Sequence, residues 1–183
     1  ALQACDDLWM SRYLLQIMAE TQDVGVEWAP KPYAGWNGSG CHTNFSTTKM
    51  RDEGTEGLFI SIMEKASNSH ISDMLRYGSN NESRMTGLHE TSSYDKFSYG
   101  IASRNTSIRI PTATVQSEWK GYAEDRRPAS NCDPYRVVAS VIASRLNLNA
   151  SFCIFSLVIL GIMYYVNQKN VISSESTQAA VTS

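Results

Sequence analysis

The chain has no surplus of basic charge: 16 Lys and Arg stand against 18 Asp and Glu, giving a formal net charge of −2 and a pI near 5.9. A protein that binds nucleic acid without regard to sequence needs a positive field, and no basic run interleaved with aromatics occurs, which argues against that class. Cysteine is sparse. Cys5, Cys41, Cys132 and Cys153 are scattered, show none of the paired spacing that zinc sites use, and read as reduced thiols of a reducing compartment. Internal repeats, low-complexity stretches and a secretory signal pattern are missing, and the first residue is Ala1 rather than methionine, so a fragment or a processed chain is expected. Five Asn-x-Ser sequons occur, at Asn37, Asn44, Asn81, Asn105 and Asn149. The first four fall within polar motif stretches and are expected to be chance matches.

What remains is an ordinary globular composition. With 183 residues, 42% hydrophobic and 19% charged, the chain is long enough to bury one sizeable core. Trp9, Tyr13, Leu14, Ile17 and Met18 recur at helical spacing, and the Val24, Val26, Trp28 alternation that follows predicts a short strand. Phe59, Ile62, Met63, Ala66, Met74 and Leu75 predict a second amphipathic helix with core residues on its inner face, bounded by Gly57 and Gly78. Asp133 as N-cap and Pro134 at the first helical position predict a third, which carries Val138, Val141 and Ile142 inward and ends near Asn147.

Three stretches concentrate polar residues and glycine: Trp36 to Ser46 (WNGSGCHTNFS), Asn81 to Glu90 (NESRMTGLHE), and Ser103 to Pro134, which holds SRNTSIRIP and GYAEDRRPASNCDP. In CHTNFS, a strand would bring His42, Asn44 and Ser46 out on one face, and so polar a face lines a cleft or faces water. The glycines at 38 and 40 let the preceding backbone approach a ligand closely. In GYAEDRRP the same alternation puts Tyr122, Glu124 and Arg126 together; a carboxylate beside a guanidinium suits a site for a hard divalent ion and phosphoryl oxygens. Ile108 and Ile110 alternate with Arg109, as in a half-buried strand with its cation on the cleft side. Asn81 to Glu90 has no such periodicity and reads as a loop around Gly87. Taken alone, His42 is more readily a hydrogen-bonded core histidine, and EDRR is more often a solvated surface charge cluster.

Taken together and in this order, the three stretches resemble the catalytic domain of eukaryotic-type glutamine synthetase, specifically its carboxy-terminal part, from about Ala1 to Leu148. The resemblance implies an α+β fold with a curved, mostly antiparallel sheet backed by helices. It implies ATP-dependent ligation of ammonia to the γ-carboxylate of glutamate through γ-glutamyl phosphate, with Mg2+ or Mn2+ as the metal. By the same resemblance Glu90, Arg104 and Arg126 are catalytic, Glu90 sitting on a flap that closes over the acyl phosphate. Asn37, Gly38, His42, Arg84, Arg104 and Arg126 bind glutamate or its phosphorylated form. Asn44, Ser46, Arg109 and Tyr122 lie on the nucleotide side, and His42 and Glu124 are metal ligands. Members of the family form homo-oligomeric rings and work in the cytoplasm. Two positions depart from the pattern: Ser83 and Thr112 stand where the family commonly has arginine.

The family's amino-terminal domain and several of its metal-binding glutamates precede the region matched, so the chain by itself is expected to be inactive. Two other readings stay open: a catalytically dead interaction module, and a ligase joining glutamate to another amine. Beyond Leu148 nothing resembles the family. No formal charge occurs between Arg145 and Lys169, which makes 149–168 a possible membrane span, with a gene-model artefact or a buried helix as the alternatives. Residues 169–183 are expected to be a polar disordered tail.

Overall fold

The computed structural model describes residues 1–146. The expected apolar segment 149–168 and polar tail 169–183 lie outside the described residues. The described elements run α1 (Leu2–Thr21), β1 (Thr43–Phe45), α2 (Thr48–Asp52), α3 (Glu56–Asn68), α4 (His70–Met74), β2 (Tyr99–Ile101), β3 (Ile108–Ile110), α5 (Thr112–Gln116), β4 (Ala123–Asp125) and α6 (Pro134–Leu146). The four strands form one sheet in the order β1-β4-β3-β2. The β1–β4 and β3–β4 pairs are antiparallel and β2–β3 is parallel. The expected α+β architecture with a mostly antiparallel sheet is therefore what the chain forms. Among the described residues no helix is long and apolar enough to cross a membrane.

One face of the sheet carries the core. Ile108, Ile110 and Ala123 pack against Phe59, Ile62, Met63 and Ala66 of α3 and against Met50 of α2. Full burial of each of the larger side chains stabilises the fold by roughly 1.5–3 kcal/mol. Thr47 and Thr55 cap α2 and α3 by accepting from the backbone N–H of Met50 and Leu58. A second cluster of Met74, Tyr77, Met85, Cys132, Val137 and Val141 joins α4 and α6. The third helix starts as the sequence predicts: the Asp133 carboxylate accepts from the Tyr135 N–H at 3.0 Å, just before Pro134 opens α6.

Several details differ from the sequence expectation. The apolar positions of α1 are helical but not buried, with Trp9 48% and Met18 64% exposed. α1 is held instead by Arg12, whose guanidinium donates to the carbonyls of Cys132 and Ser130 and lies over the rings of Trp9 and Trp28. Val24 to Trp28 forms no strand: alternation supplies a face, but a strand also needs a neighbour for its backbone groups, and no described segment pairs with this one. The second predicted helix is two, α3 and α4, broken at Ser69, and Gly57 lies inside α3 rather than before it. Leu75 is 75% exposed, outside the core. In α6 the inward positions are Val137 and Val141, whereas Ile142 is 41% exposed.

The break at Ser69 swings His70 into the interior beside a fully buried cation. Arg127 is gripped by Asp125 through two hydrogen bonds, Nε to Oδ1 at 2.9 Å and Nη2 to Oδ2 at 2.7 Å. It also reaches Asp73 Oδ2 at 3.3 Å and lies over the rings of Tyr77 and Phe97. Burial opposes its charge, but Asp125, Tyr77 and Asp73 outweigh that and hold the guanidinium firmly protonated. His70 Nδ1 faces Arg127 Nη1 at 3.2 Å and Nε2 faces the Tyr94 carbonyl at 2.9 Å. A guanidinium only donates and a carbonyl only accepts, so this imidazole is neutral with its proton on Nε2. Burial, and then Arg127, lower its pKa below the ordinary 6.5.

The sign of the pH dependence follows. The unfolded chain takes up the His70 proton near 6.5 and the folded chain does so only at lower pH. Stability is therefore complete above that value and falls as the pH drops below it. His70→Asn should make the fall in urea midpoint between about pH 8 and about pH 5 shallower than in the parent chain. An identical fall in both would remove His70 as its source.

Candidate functional site

The other face of the sheet is polar, and the strand register explains why. Asn44 of β1 stands opposite Glu124 of β4, Glu124 opposite Arg109 of β3, and Arg109 opposite Gly100 of β2. Directly opposed residues share a face, so Asn44, Glu124 and Arg109 form one row across the sheet. His42 and Arg126 form the next, their side chains 3.5 Å apart. Ser46 and Tyr122 flank the first row on the side of the Phe45–Ala123 pair. The alternation of Ile108 and Ile110 with Arg109 turns out as the sequence predicts, both isoleucines lying in the core.

Glu124 is the hub. Its Oε1 lies 3.1 Å from His42 Nδ1 and 3.3 Å from Arg126 Nη1, and its Oε2 lies 2.6 Å from Arg109 Nε. The Arg109 contact is an ion pair whose angles fall outside a good hydrogen bond. One carboxylate faces two guanidinium groups, so the row carries net positive charge. Burial, then the Arg126 charge, lower the His42 pKa. His42 Nδ1 thus lies between the Glu124 carboxylate, which accepts, and the Arg126 guanidinium, which donates.

Arg126 also reaches forward. Its Nη2 donates to the Glu90 backbone carbonyl at 3.3 Å, and the Glu90 carboxylate pairs with Arg104 Nη1 at 3.1 Å. Both side chains of that outer pair are more than half exposed, so it contributes little to stability. His89 and Glu90 adopt consecutive left-handed conformations, φ 52° and 60°. Non-glycine residues take that geometry at a cost of roughly 1–2 kcal/mol each, which marks this loop as a strained tip over Arg126.

Arg84 is drawn inward, 3% exposed. Its Nη2 donates to the carbonyls of Arg126, Arg127 and Pro128, at 3.2, 2.6 and 3.2 Å, and its Nε to Asn81 Oδ1 at 3.0 Å. Burial, with the charge of Arg126, brings its pKa down to about 10. Its side chain lies against Gly38, and its Nη1 would be 3.0 Å from a Cβ at Gly40. Asn37 is exposed on the loop just before. Of the two departures from the family pattern, Ser83 sits in a short 3-10 turn with its hydroxyl donating to the Asn80 carbonyl, and Thr112 opens α5.

Sequence reasoning missed several residues that hold this site. Asn81 is wholly buried and donates to the Arg127 carbonyl at 2.7 Å, which also shows its sequon to be inaccessible in the fold. Thr114 Oγ1 holds both backbone groups of Tyr122. Asp125 and Arg127 were legible in principle, since alternation in EDRR that puts 124 and 126 in the cleft must put 125 and 127 in the core. A separate groove of about 560 Å³ lies between α1, β1 and α6, lined by Phe45, Val138, Val141 and Ile142. It also touches Asn44 and Ser46, but none of the charged residues of that face.

The metal was tested against the donors present. Among the described residues no group of three or more His, Cys, Asp or Glu side chains could hold an ion. His42 and Glu124 supply two donors where a hard divalent cation takes about six, and both Glu124 oxygens already face cations. These residues by themselves do not fit the ion.

Fold and site together define an α+β domain that presents an arginine-rich face suited to an anionic substrate. Residues 1–78 match the family model for the glutamine synthetase catalytic domain. The chain is 49% identical over 150 residues to glutamine synthetase 1, mitochondrial, of Drosophila melanogaster, an alignment covering 79% of this chain and 37% of that protein. It is 51% identical over 148 residues to a probable glutamine synthetase of Caenorhabditis elegans, covering 77% and 40%. Against the glutamine synthetase of Emericella nidulans it is 51% identical over 142 residues, covering 77% and 39%. The matched part of the chain belongs to the glutamine synthetase family, as the carboxy-terminal part of its catalytic domain. The chain spans about two fifths of the length of these curated relatives.

Gly38→Ala tests the packing behind the row. A Cβ there would lie 2.4 Å from Arg84 Cγ and 2.7 Å from the Pro30 carbonyl oxygen, whereas one at Gly57 meets nothing within 4 Å. Urea unfolding should show Gly38→Ala losing about 1–3 kcal/mol and Gly57→Ala losing none. Equal midpoints for the two variants would contradict the close approach.

Proposed function

We propose that this chain is the part of a glutamate–ammonia ligase that neutralises phosphoryl and carboxylate charge during ATP-dependent amidation of glutamate. The γ-carboxylate attacks the terminal phosphate of ATP, and ammonia then displaces phosphate from γ-glutamyl phosphate. The observation that carries this reading is the sheet face on which Glu124 aims Arg109 and Arg126, beneath the strained loop at Glu90. Phosphoryl transfer is helped mainly by positioning and by neutralising charge on the transferred group, and preorganised guanidinium groups supply both.

In this reading Arg104 and Arg126 face the transferred phosphate, and Asn37, Gly38 and Arg84 border the glutamate. Asn44, Ser46, Arg109 and Tyr122 border the nucleotide. His42 would be both a contact to substrate and, with Glu124, two of the ligands of Mg2+ or Mn2+ in an assembled site. Glu90 closes over the acyl phosphate, because that intermediate would hydrolyse if open to water. The assembled enzyme would be a homo-oligomeric ring in the cytoplasm, and the isolated chain, with only two metal donors, would be inactive.

The test is made in a full-length enzyme carrying this segment. Glu124→Ala and Arg126→Ala should each lower kcat by roughly a hundredfold or more. Glu90→Ala should instead raise the ratio of phosphate released to glutamine formed. An unchanged ratio would take the closing role from Glu90, and near-normal kcat in the other two would overturn the reading.

A further inference from the structure

Two of the thiols that the sequence shows as scattered are brought together by the fold. Gly40 pairs with Ala129 as an isolated antiparallel bridge, the Cys41 N–H donates to the Pro128 carbonyl at 2.9 Å, and the Ser130 N–H donates to the Ser39 carbonyl at 3.1 Å. The turn that follows is closed by the Cys132 N–H on the Ala129 carbonyl at 3.0 Å. These bonds lay 39–41 against 128–132, and Cys41 packs against the same buried cluster that holds Cys132. Cys41 is partly exposed, Cys132 is 1% exposed, and both are thiols rather than a disulfide. Two cations adjoin the pair: Arg12 donates to the Cys132 carbonyl, and Arg84 lies beside Gly40.

We propose that Cys41 and Cys132 form an oxidisable dithiol, an intramolecular disulfide site beside the His42 and Arg84 end of the charged face. The oxidant is a hydroperoxide. The Cys41 sulfur attacks the peroxide oxygen and breaks the O–O bond, and the leaving hydroxide takes the Cys41 thiol proton, giving a sulfenic acid and, from hydrogen peroxide, one water. The Cys132 sulfur then attacks the sulfenic sulfur, and the displaced hydroxide takes the Cys132 proton and leaves as a second water. Two thiols and one peroxide become one disulfide and two waters, and an external dithiol reverses the step by exchange. The bridge would add a covalent link at the place where Gly38 and Gly40 pack against Arg84. The site stands on the pairing of two segments whose cysteines are 91 positions apart in sequence. It does not depend on the chain being a working ligase.

The experiment treats the folded 183-residue chain with hydrogen peroxide, blocks remaining thiols, and maps peptides by mass spectrometry without reduction. The expected result is one new species in which the Cys41 and Cys132 peptides are joined with loss of two hydrogens, Cys5 still alkylated, and full reversal by dithiothreitol. The joined species should form about tenfold faster in the folded chain than in the chain unfolded in guanidinium, where proximity is lost. Cys41→Ser, at a partly exposed position, should abolish it and leave Cys132 a thiol. Oxidation of Cys41 to sulfinic acid with Cys132 still free, pairing of either with Cys5 or Cys153, or equal rates in folded and unfolded chain would each overturn the proposal.

Discussion

The structure turns on a buried ion pair, Arg127 with Asp125. A guanidinium without exposure is costly unless every donor finds an acceptor, and this one is met by two carboxylates, an imidazole nitrogen and the faces of two aromatic rings. Asp125 is the last residue of β4, and Arg127 lies two positions on. Their side chains fix which way the strand faces. Because strand side chains alternate, pinning 125 and 127 into the core obliges 124 and 126 to face the cleft. A register slip of one residue would turn Glu124 toward the apolar core and Asp125 away from it, which the cluster around Arg127 forbids.

The polar face inherits its geometry from that constraint. Glu124 stands in the middle of the row because β4 lies between β1 and β3, which brings His42 and Asn44 to one side of it and Arg109 to the other. The chain leaving β4 is braced from behind by Arg84 and Asn81, which take up the carbonyls of residues 126 to 128. Two cations against one carboxylate leave positive charge in reserve for an anion. The Glu90 carbonyl on Arg126 connects that charge to the loop above it. Positions that touch no substrate in this reading, Asp125 and Arg127 among them, therefore set the accuracy of those that do.

Much of this was legible in the residues, and the parts that were not have physical reasons. Alternation in CHTNFS, SRNTSIRIP and GYAEDRRP gave the strands and the faces of His42, Arg109, Glu124 and Arg126, because a period of two is a local property. Asp133 and Pro134 marked the start of α6 for the same reason. What failed needed a partner far away in sequence. Val24 to Trp28 alternates but has no strand to pair with among the described residues. The helix expected through Leu75 breaks at Ser69, whose hydroxyl meets Asp73 at 2.8 Å while His70 turns toward Arg127, 57 residues on. The apolar stripe of α1 predicted a helix correctly, but not which side would be covered.

The claim that one buried pair orders both faces is tested most directly by a double-mutant cycle between Arg127 and Asp125, read by urea unfolding of the chain. Arg127→Met, Asp125→Leu and the double variant would be compared with the parent. Each single variant leaves a buried charge short of its main partner and should lose about 3–5 kcal/mol, whereas the double variant removes both charges of the pair, leaves only Asp73 with its Ser69 hydroxyl, and should lose less than their sum, a coupling of roughly 2–3 kcal/mol. Losses that simply add, with coupling below about 0.5 kcal/mol, would contradict the account, because the pair would then be incidental to the strand it is held to orient.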